Sequence, residues 1–178
     1  MTRSALAVVA LALVVLTAGC ASDSGATPTP DGQTDVGVSV ENAGDTRFAA
    51  ELSLVPDRLS QVNVAYANGV SRPVTNLSSV RGVSAFAPRN ATDVRLPPGV
   101  EARSSSRFEL EPGDRAETRL SAPVDDATLL VVVRQGDRVV AWATAYCGAG
   151  NALDRVDVRA RGGDPGGFGG VGLSCTRR

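Results

Sequence analysis

From Asp35 onward, apolar and polar side chains alternate with a period of two, the spacing of a strand that buries one face. Val36, Val38 and Val40 alternate with small or polar residues and stop at Asn42-Ala43-Gly44-Asp45, which reads as a turn. Phe48, Ala50, Leu52 and Leu54 repeat the pattern as far as Pro56-Asp57. Val62, Val64 and Tyr66 follow, and Asn68-Gly69 is a strong hairpin signal with Val70 to Val74 as the return strand. The stretch from Asn76 to Pro98 is less regular, with strands expected around Val83–Phe86 and Val94–Leu96. Glu101 to Glu111 runs into the turn Pro112-Gly113-Asp114, and Ala116, Thr118 and Leu120 return.

Thr128-Leu129-Leu130-Val131-Val132-Val133 breaks the alternation and reads as a strand buried on both faces. It turns at Gln135-Gly136-Asp137-Arg138 into Val139 to Cys147. This hairpin is expected at the centre of the core, with Trp142 as its largest side chain. A last strand at Val156 and Val158 precedes a glycine-rich tail from Gly162 to Gly172. Roughly eight or nine short strands and no amphipathic helix predict an all-β chain folded as a single antiparallel β-sandwich. The architecture resembles the broad immunoglobulin and fibronectin type III group. The antibody signatures are absent: no Tyr lies two residues before a Cys, and no Cys-Trp-Cys spacing occurs.

The chain begins differently. Arg3 supplies one positive charge, Ala5 to Leu16 is unbroken apolar sequence, and Thr17-Ala18-Gly19-Cys20 closes it with small residues. This is the pattern of a secretory signal. The apolar run is shorter than the roughly 20 residues that a bilayer core requires. Thr17-Ala18-Gly19-Cys20 resembles a lipobox, after which lipoprotein signal peptidases cut and leave a diacylglyceryl group on the cysteine. The familiar bacterial form has Leu three residues before that cysteine, whereas Leu16 stands four before Cys20. Ala21 to Gly32 holds no large apolar side chain, so it cannot bury enough surface to offset chain entropy and suits a flexible tether. The expected organisation is a signal peptide over 1–19, a lipidated tether over 20–34, a β-sandwich over 35–161 and a Gly-rich tail over 162–178.

Composition narrows the partners. All 18 basic residues are arginine, balanced by 19 acidic ones, and there is no histidine. No basic run or aromatic stacking surface marks the chain for nucleic acid. The lipobox-like ending, the Thr/Pro/Asp/Gly tether and the lysine-free, Val/Ala/Asp-rich body resemble exported lipoproteins of halophilic archaea. High-GC actinobacterial lipoproteins are the other group with this look.

With Cys20 assigned to lipid, Cys147 and Cys175 remain, and two leftover cysteines in an exported protein usually pair. Their bridge would pin the glycine-rich tail to the end of the Trp142 strand; two free thiols or a link to another chain are the other outcomes. Asn76-Leu77-Ser78 and Asn90-Ala91-Thr92 match the N-glycosylation pattern and lie in the irregular, expectedly exposed stretch.

The inventory excludes most catalytic constellations. Without histidine there is no Ser-His-Asp or Cys-His site and no imidazole base. Without lysine there is no Ser-Lys dyad or Schiff base. A histidine-ligated copper site and a cysteine-based zinc site both lack their ligands, so no metal or other cofactor is expected. Asp125-Asp126 reads as a solvated turn, Asp154 and Asp157 lack a complete calcium-loop spacing, and Arg103-Ser104-Ser105-Ser106-Arg107 reads as a solvent-facing edge strand. The glycine-rich run lacks the Gly-Lys-Ser/Thr of a phosphate loop. These readings predict a non-catalytic binding module on the extracytoplasmic face of the cell membrane, held by lipid on Cys20, with a protein or glycan partner. Competing expectations are a solute-binding lipoprotein serving a transporter, or a hydrolase using paired carboxylates across a cleft.

Overall fold

A computed structural model describes residues 33–77, 82–123, 126–161 and 167–177. The signal segment, Cys20, the tether up to Gly32, Asp125 and the start of the glycine-rich stretch lie outside them. The described residues form twelve strands and no helix. In chain order these are β1 (Gln33–Asn42), β2 (Phe48–Val55), β3 (Gln61–Tyr66), β4 (Ser71–Thr75), β5 (Gly82–Phe86) and β6 (Ala91–Arg95). They continue as β7 (Ser104–Leu110), β8 (Arg115–Pro123), β9 (Thr128–Gln135), β10 (Arg138–Tyr146), β11 (Asn151–Arg161) and β12 (Gly167–Arg177).

The strands assemble into a four-stranded sheet in the order β12-β11-β1-β8, a five-stranded sheet β5-β10-β9-β2-β7 and a three-stranded sheet β4-β3-β6. The first two pack face to face as the sandwich that the alternation predicts. Val36, Val38 and Val40 of β1 and Val156 and Val158 of β11 meet Ala50, Leu52 and Leu54 of β2 and Leu129, Val131 and Val133 of β9 in the main core. The other side chains of β9 and β10, Leu130, Val132, Val139 and Trp142, point the opposite way. There they form a second core with Leu59, Val62, Val64, Leu77 and Val94 under the three-stranded sheet.

This third layer explains why β9 lacks alternation. Thr128 to Val133 are all buried, as expected for a strand with apolar neighbours above and below. It also relocates the tryptophan. Trp142 is buried, yet it lies in the second, smaller core rather than at the centre of the main one. Phe86 of β5, its register partner, stacks on it with ring centroids 4.2 Å apart and planes inclined by 17°.

Two further features go beyond the local pattern. β1 pairs with β11 in parallel, from Gly37 opposite Arg155 to Asn42 opposite Ala160, while its other neighbour β8 is antiparallel. The glycine-rich end of the chain contributes a full edge strand: β12 runs antiparallel to β11 from Gly167 to Arg177. A bulge at Asp154, between the Leu153–Cys175 and Arg155–Ser174 pairs, shifts the side-chain parity of β11. Leu153 and Val156 thereby both reach the core although three positions separate them.

Candidate functional surface

The sandwich has two ends. Gln33 enters β1 opposite Pro123 of β8, and at this end β10 finishes, β11 starts and β12 stops. Cys147, just beyond β10, bonds Cys175 in β12 with a Cα–Cα distance of 5.7 Å and so ties the five-stranded sheet to the four-stranded one. The pairing expected for the two cysteines is the one observed. At the opposite end lie the turns after β1, β7 and β9.

Asn42 organises that far end. It is fully buried, and its Nδ2 donates to the carbonyls of Thr46 at 2.9 Å and Leu110 at 3.0 Å. Its Oδ1 accepts from the Gly44 N–H at 3.0 Å, and its backbone bonds to Asp114 and Gly113. One side chain thus satisfies polar groups from two connections, which is why a polar residue is tolerated there.

The outer side of the four-stranded sheet is an exposed, charged face. On β1, Asp35, Gly37 and Glu41 lie on this side around the buried Ser39; β8 and β11 flank the strand with arginine and carboxylate in alternation. Arg115 Nη2 meets Glu117 at 2.9 Å and Arg155 Nη2 meets Asp157 at 3.0 Å, with crossed contacts of 3.9 Å between the pairs. Arg159 meets Glu41 at 3.2 Å. The hydrogen bond that Arg155 donates to Asp157, and then the charge of that carboxylate, raise the pKa of Arg155. Because Gly37 has no side chain, a groove of ≈ 580 Å³ opens over β1, bordered by Asp35, Glu117, Arg119, Asp154 and Arg155. Among the described residues Arg119 has no carboxylate within ion-pair distance, and Asp154 accepts a 3.4 Å hydrogen bond from the Ser174 hydroxyl.

The chemistry available on this face is recognition by charge and hydrogen bonding. Glu41, Glu117 and Asp157 sit against guanidinium groups, while Asp35 accepts a 3.1 Å hydrogen bond from the Ser121 hydroxyl and Asp154 one from Ser174. Among the described residues no three His, Cys, Asp or Glu side chains come together as metal ligands. No helix among them is long and apolar enough to cross a membrane.

The other sequence candidates are placed as follows. Asn76, just after β4, and Asn90, closing the turn before β6, are both exposed and both adopt positive φ, 63° and 59°. Asp126 also has positive φ, in the connection to β9, and accepts a 3.1 Å hydrogen bond from the Tyr146 hydroxyl. Burial and then that bond raise the pKa of Tyr146. Asp157 faces outward in mid-strand and Asp154 occupies the bulge, so they do not share a loop. Ser104 to Arg107 lie on β7, an edge strand that pairs only with β2.

The alternation pattern did not reveal a charged cluster between the layers. Arg134, at the end of β9, donates from Nε to Glu51 at 3.0 Å, from Nη1 to the Thr92 carbonyl at 2.8 Å and from Nη2 to Asp93. Arg107 adds a 2.9 Å contact to Glu51, and Arg95 pairs with Asp93. Burial lowers the pKa of Arg134, but the bonds to Asp93 and Glu51 outweigh it and the net value is raised. Burial likewise opposes ionisation of Asp93, yet Arg134 and Arg95 hold its carboxyl below the usual range. The available signal was a charged residue ending an apolar strand, which says nothing about its partners.

No protein-family model matches the chain, and comparison with curated proteins and with solved structures finds no match.

Proposed function

We propose that the protein is a lipid-anchored, extracytoplasmic β-sandwich acting as a non-catalytic interaction module. One observation carries the reading: Cys147 and Cys175 bond to each other, so of the three cysteines only Cys20 is left for another use. Cys20 follows the apolar run and precedes a polar tether, where a diacylglyceryl group would hold the domain to a membrane. Covalent lipid contributes about 0.8 kcal/mol per buried methylene, so two chains give stable attachment. The tether joins β1 at the end that holds the disulfide, and that end faces the membrane. The turns after β1, β7 and β9 then point outward, and the sheet faces and edges stand clear of the bilayer. Asn76 and Asn90 are exposed acceptors for glycan on the same exported domain.

The test is mass spectrometry of the N-terminal peptide from native membranes, with crosslinking to report neighbours. A peptide beginning at lipid-modified Cys20, and release of Cys20→Ser into the soluble fraction, are expected. An unmodified Cys20 in protein that is already soluble would overturn the reading.

A further inference from the structure

We infer that β12 is a docking edge that accepts an extended segment of a partner protein as an added strand. The inference names the partner chemistry of the interaction module and rests on that reading of the domain. Among the described residues each sheet has two edge strands, and an exposed edge presents unpaired N–H and C=O groups to any passing chain. Most edges here carry the usual protection. β8 holds Arg115, Glu117 and Arg119; β7 holds Arg107 and Glu109; β6 holds Asp93 and Arg95; β4 holds Arg72 and Pro73. β5 has neither charge nor proline but spans only Gly82–Phe86. β12 has 11 residues, and from Gly167 to Thr176 it contains no charge and no proline.

The strand is also built to receive a neighbour. Beyond an irregularity at Gly169 it pairs without a break on its own side from Gly170 to Arg177. Val171, Leu173 and Cys175 are half-buried along the margin of the main core, while Gly170, Gly172 and Ser174 are exposed on the outer face. An added strand would cover that apolar margin with every second side chain and meet almost no side chains with the others. The occupant is therefore a proline-free segment that is apolar at alternate positions, bound by strand addition. The Cys147–Cys175 bond holds one end of β12 in place beforehand, which lowers the ordering cost of binding.

A second copy of this chain fits less well. Self-pairing of β12 about a two-fold axis is antiparallel and turns one copy end over end, carrying its Gln33 to the far end of the pair. The thirteen steps from Cys20 to Gln33 span about 45 Å at full extension, against about 37 Å for an 11-residue strand alone. The inverted copy would need a nearly straight tether.

The probe is a blocked peptide of alternating valine and threonine with a lysine at each end, added to the full chain in detergent micelles. Binding and amide hydrogen exchange are followed for wild type, Gly170→Lys and Gly170→Ala. A side chain at Gly170 meets nothing within 4 Å, so both substitutions are accommodated without a clash. The expected result is slowed exchange confined to β12, at least tenfold weaker binding for Gly170→Lys, unchanged binding for Gly170→Ala, and none for the fully N-methylated peptide. Protection spread equally over β4, β7 and β12, or binding of the N-methylated peptide, would overturn the proposal. A wild-type dimer abolished by Gly170→Lys would also overturn it, by assigning the edge to self-pairing. The peptide assay does not depend on lipid, so a negative result here leaves the anchor to be judged on the Cys20 peptide.

Discussion

Arg134 of β9 reaches across the layers to Asp93 of β6, so the five-stranded and three-stranded sheets share an ion pair as well as a core. The pair is largely shielded, with 16% and 21% of the two side chains exposed. Removing one partner leaves the other charge poorly solvated. Arg134→Ala is expected to cost about 2–3 kcal/mol in chemical denaturation. The outer pair Arg115–Glu117, at 49% and 63% exposure, should contribute below about 1 kcal/mol.

The same pair sets a pH dependence. The folded pKa of Asp93 lies below its ordinary 3.8, so its stabilisation is complete above that value and is lost as pH falls through the folded pKa. Unfolding free energies of wild type and Asp93→Asn should converge on acidification below pH of about 4. At the alkaline end the sign is opposite. The folded pKa of Tyr146 is raised above 10.0, so its contribution is full below that pH and lost as pH rises through the folded value. Tyr146→Phe should remove that alkaline loss.

Reduction of Cys147–Cys175 frees a loop with a sequence separation of 28 residues. The double variant Cys147→Ala, Cys175→Ala is expected to lose about 3.5 kcal/mol. Hydrogen exchange in β12 should rise first, because its ladder to β11 is then its main restraint.

Phe86 shields the single tryptophan of the chain. Phe86→Ala is expected to cost about 0.5–1.5 kcal/mol beyond its lost apolar area. Trp142 emission should shift to the red as water reaches the ring, while Val70→Ala, at another exposed apolar residue, should leave it unchanged.

Asn42→Ala would strip partners from the Thr46 and Leu110 carbonyls and the Gly44 N–H. A loss of about 2–3 kcal/mol is expected, since buried polar groups left unpaired cost about 1–3 kcal/mol each and part of that is recovered by water. The exchange rates of the turns after β1 and β7 should rise together, and separate responses would contradict a shared tie.

Much of the sandwich was legible because a half-buried strand writes its geometry into every second residue. Val36, Val38 and Val40 and the pair Val156 and Val158 named their own core face, and the unbroken run of β9 announced two buried faces. Strand partners were not legible, since nothing in Gly37 or Arg155 declares that they stand side by side. β12 was hidden for another reason: glycine at 167, 169, 170 and 172 has poor intrinsic strand preference, and β11 and the disulfide impose its extended form. The outer-face groove was equally silent, because it depends on three strands from distant parts of the chain. Cys147, Cys175, Asn76 and Asn90 were readable in the sequence, and their exposure or pairing required the fold.

The parallel contact of β1 with β11, together with its antiparallel contact with β8, has a consequence for the order of assembly. Both neighbours of the first strand come from the later part of the chain, so its ladders close loops of many tens of residues. Such non-local pairings slow folding. A chain synthesised from its N-terminus delivers β1 early and waits for β8 and then β11 before the four-stranded sheet can close. Before β8 arrives β1 has no ladder partner at all, and the core face of Val36, Val38 and Val40 stays incomplete until β11 follows.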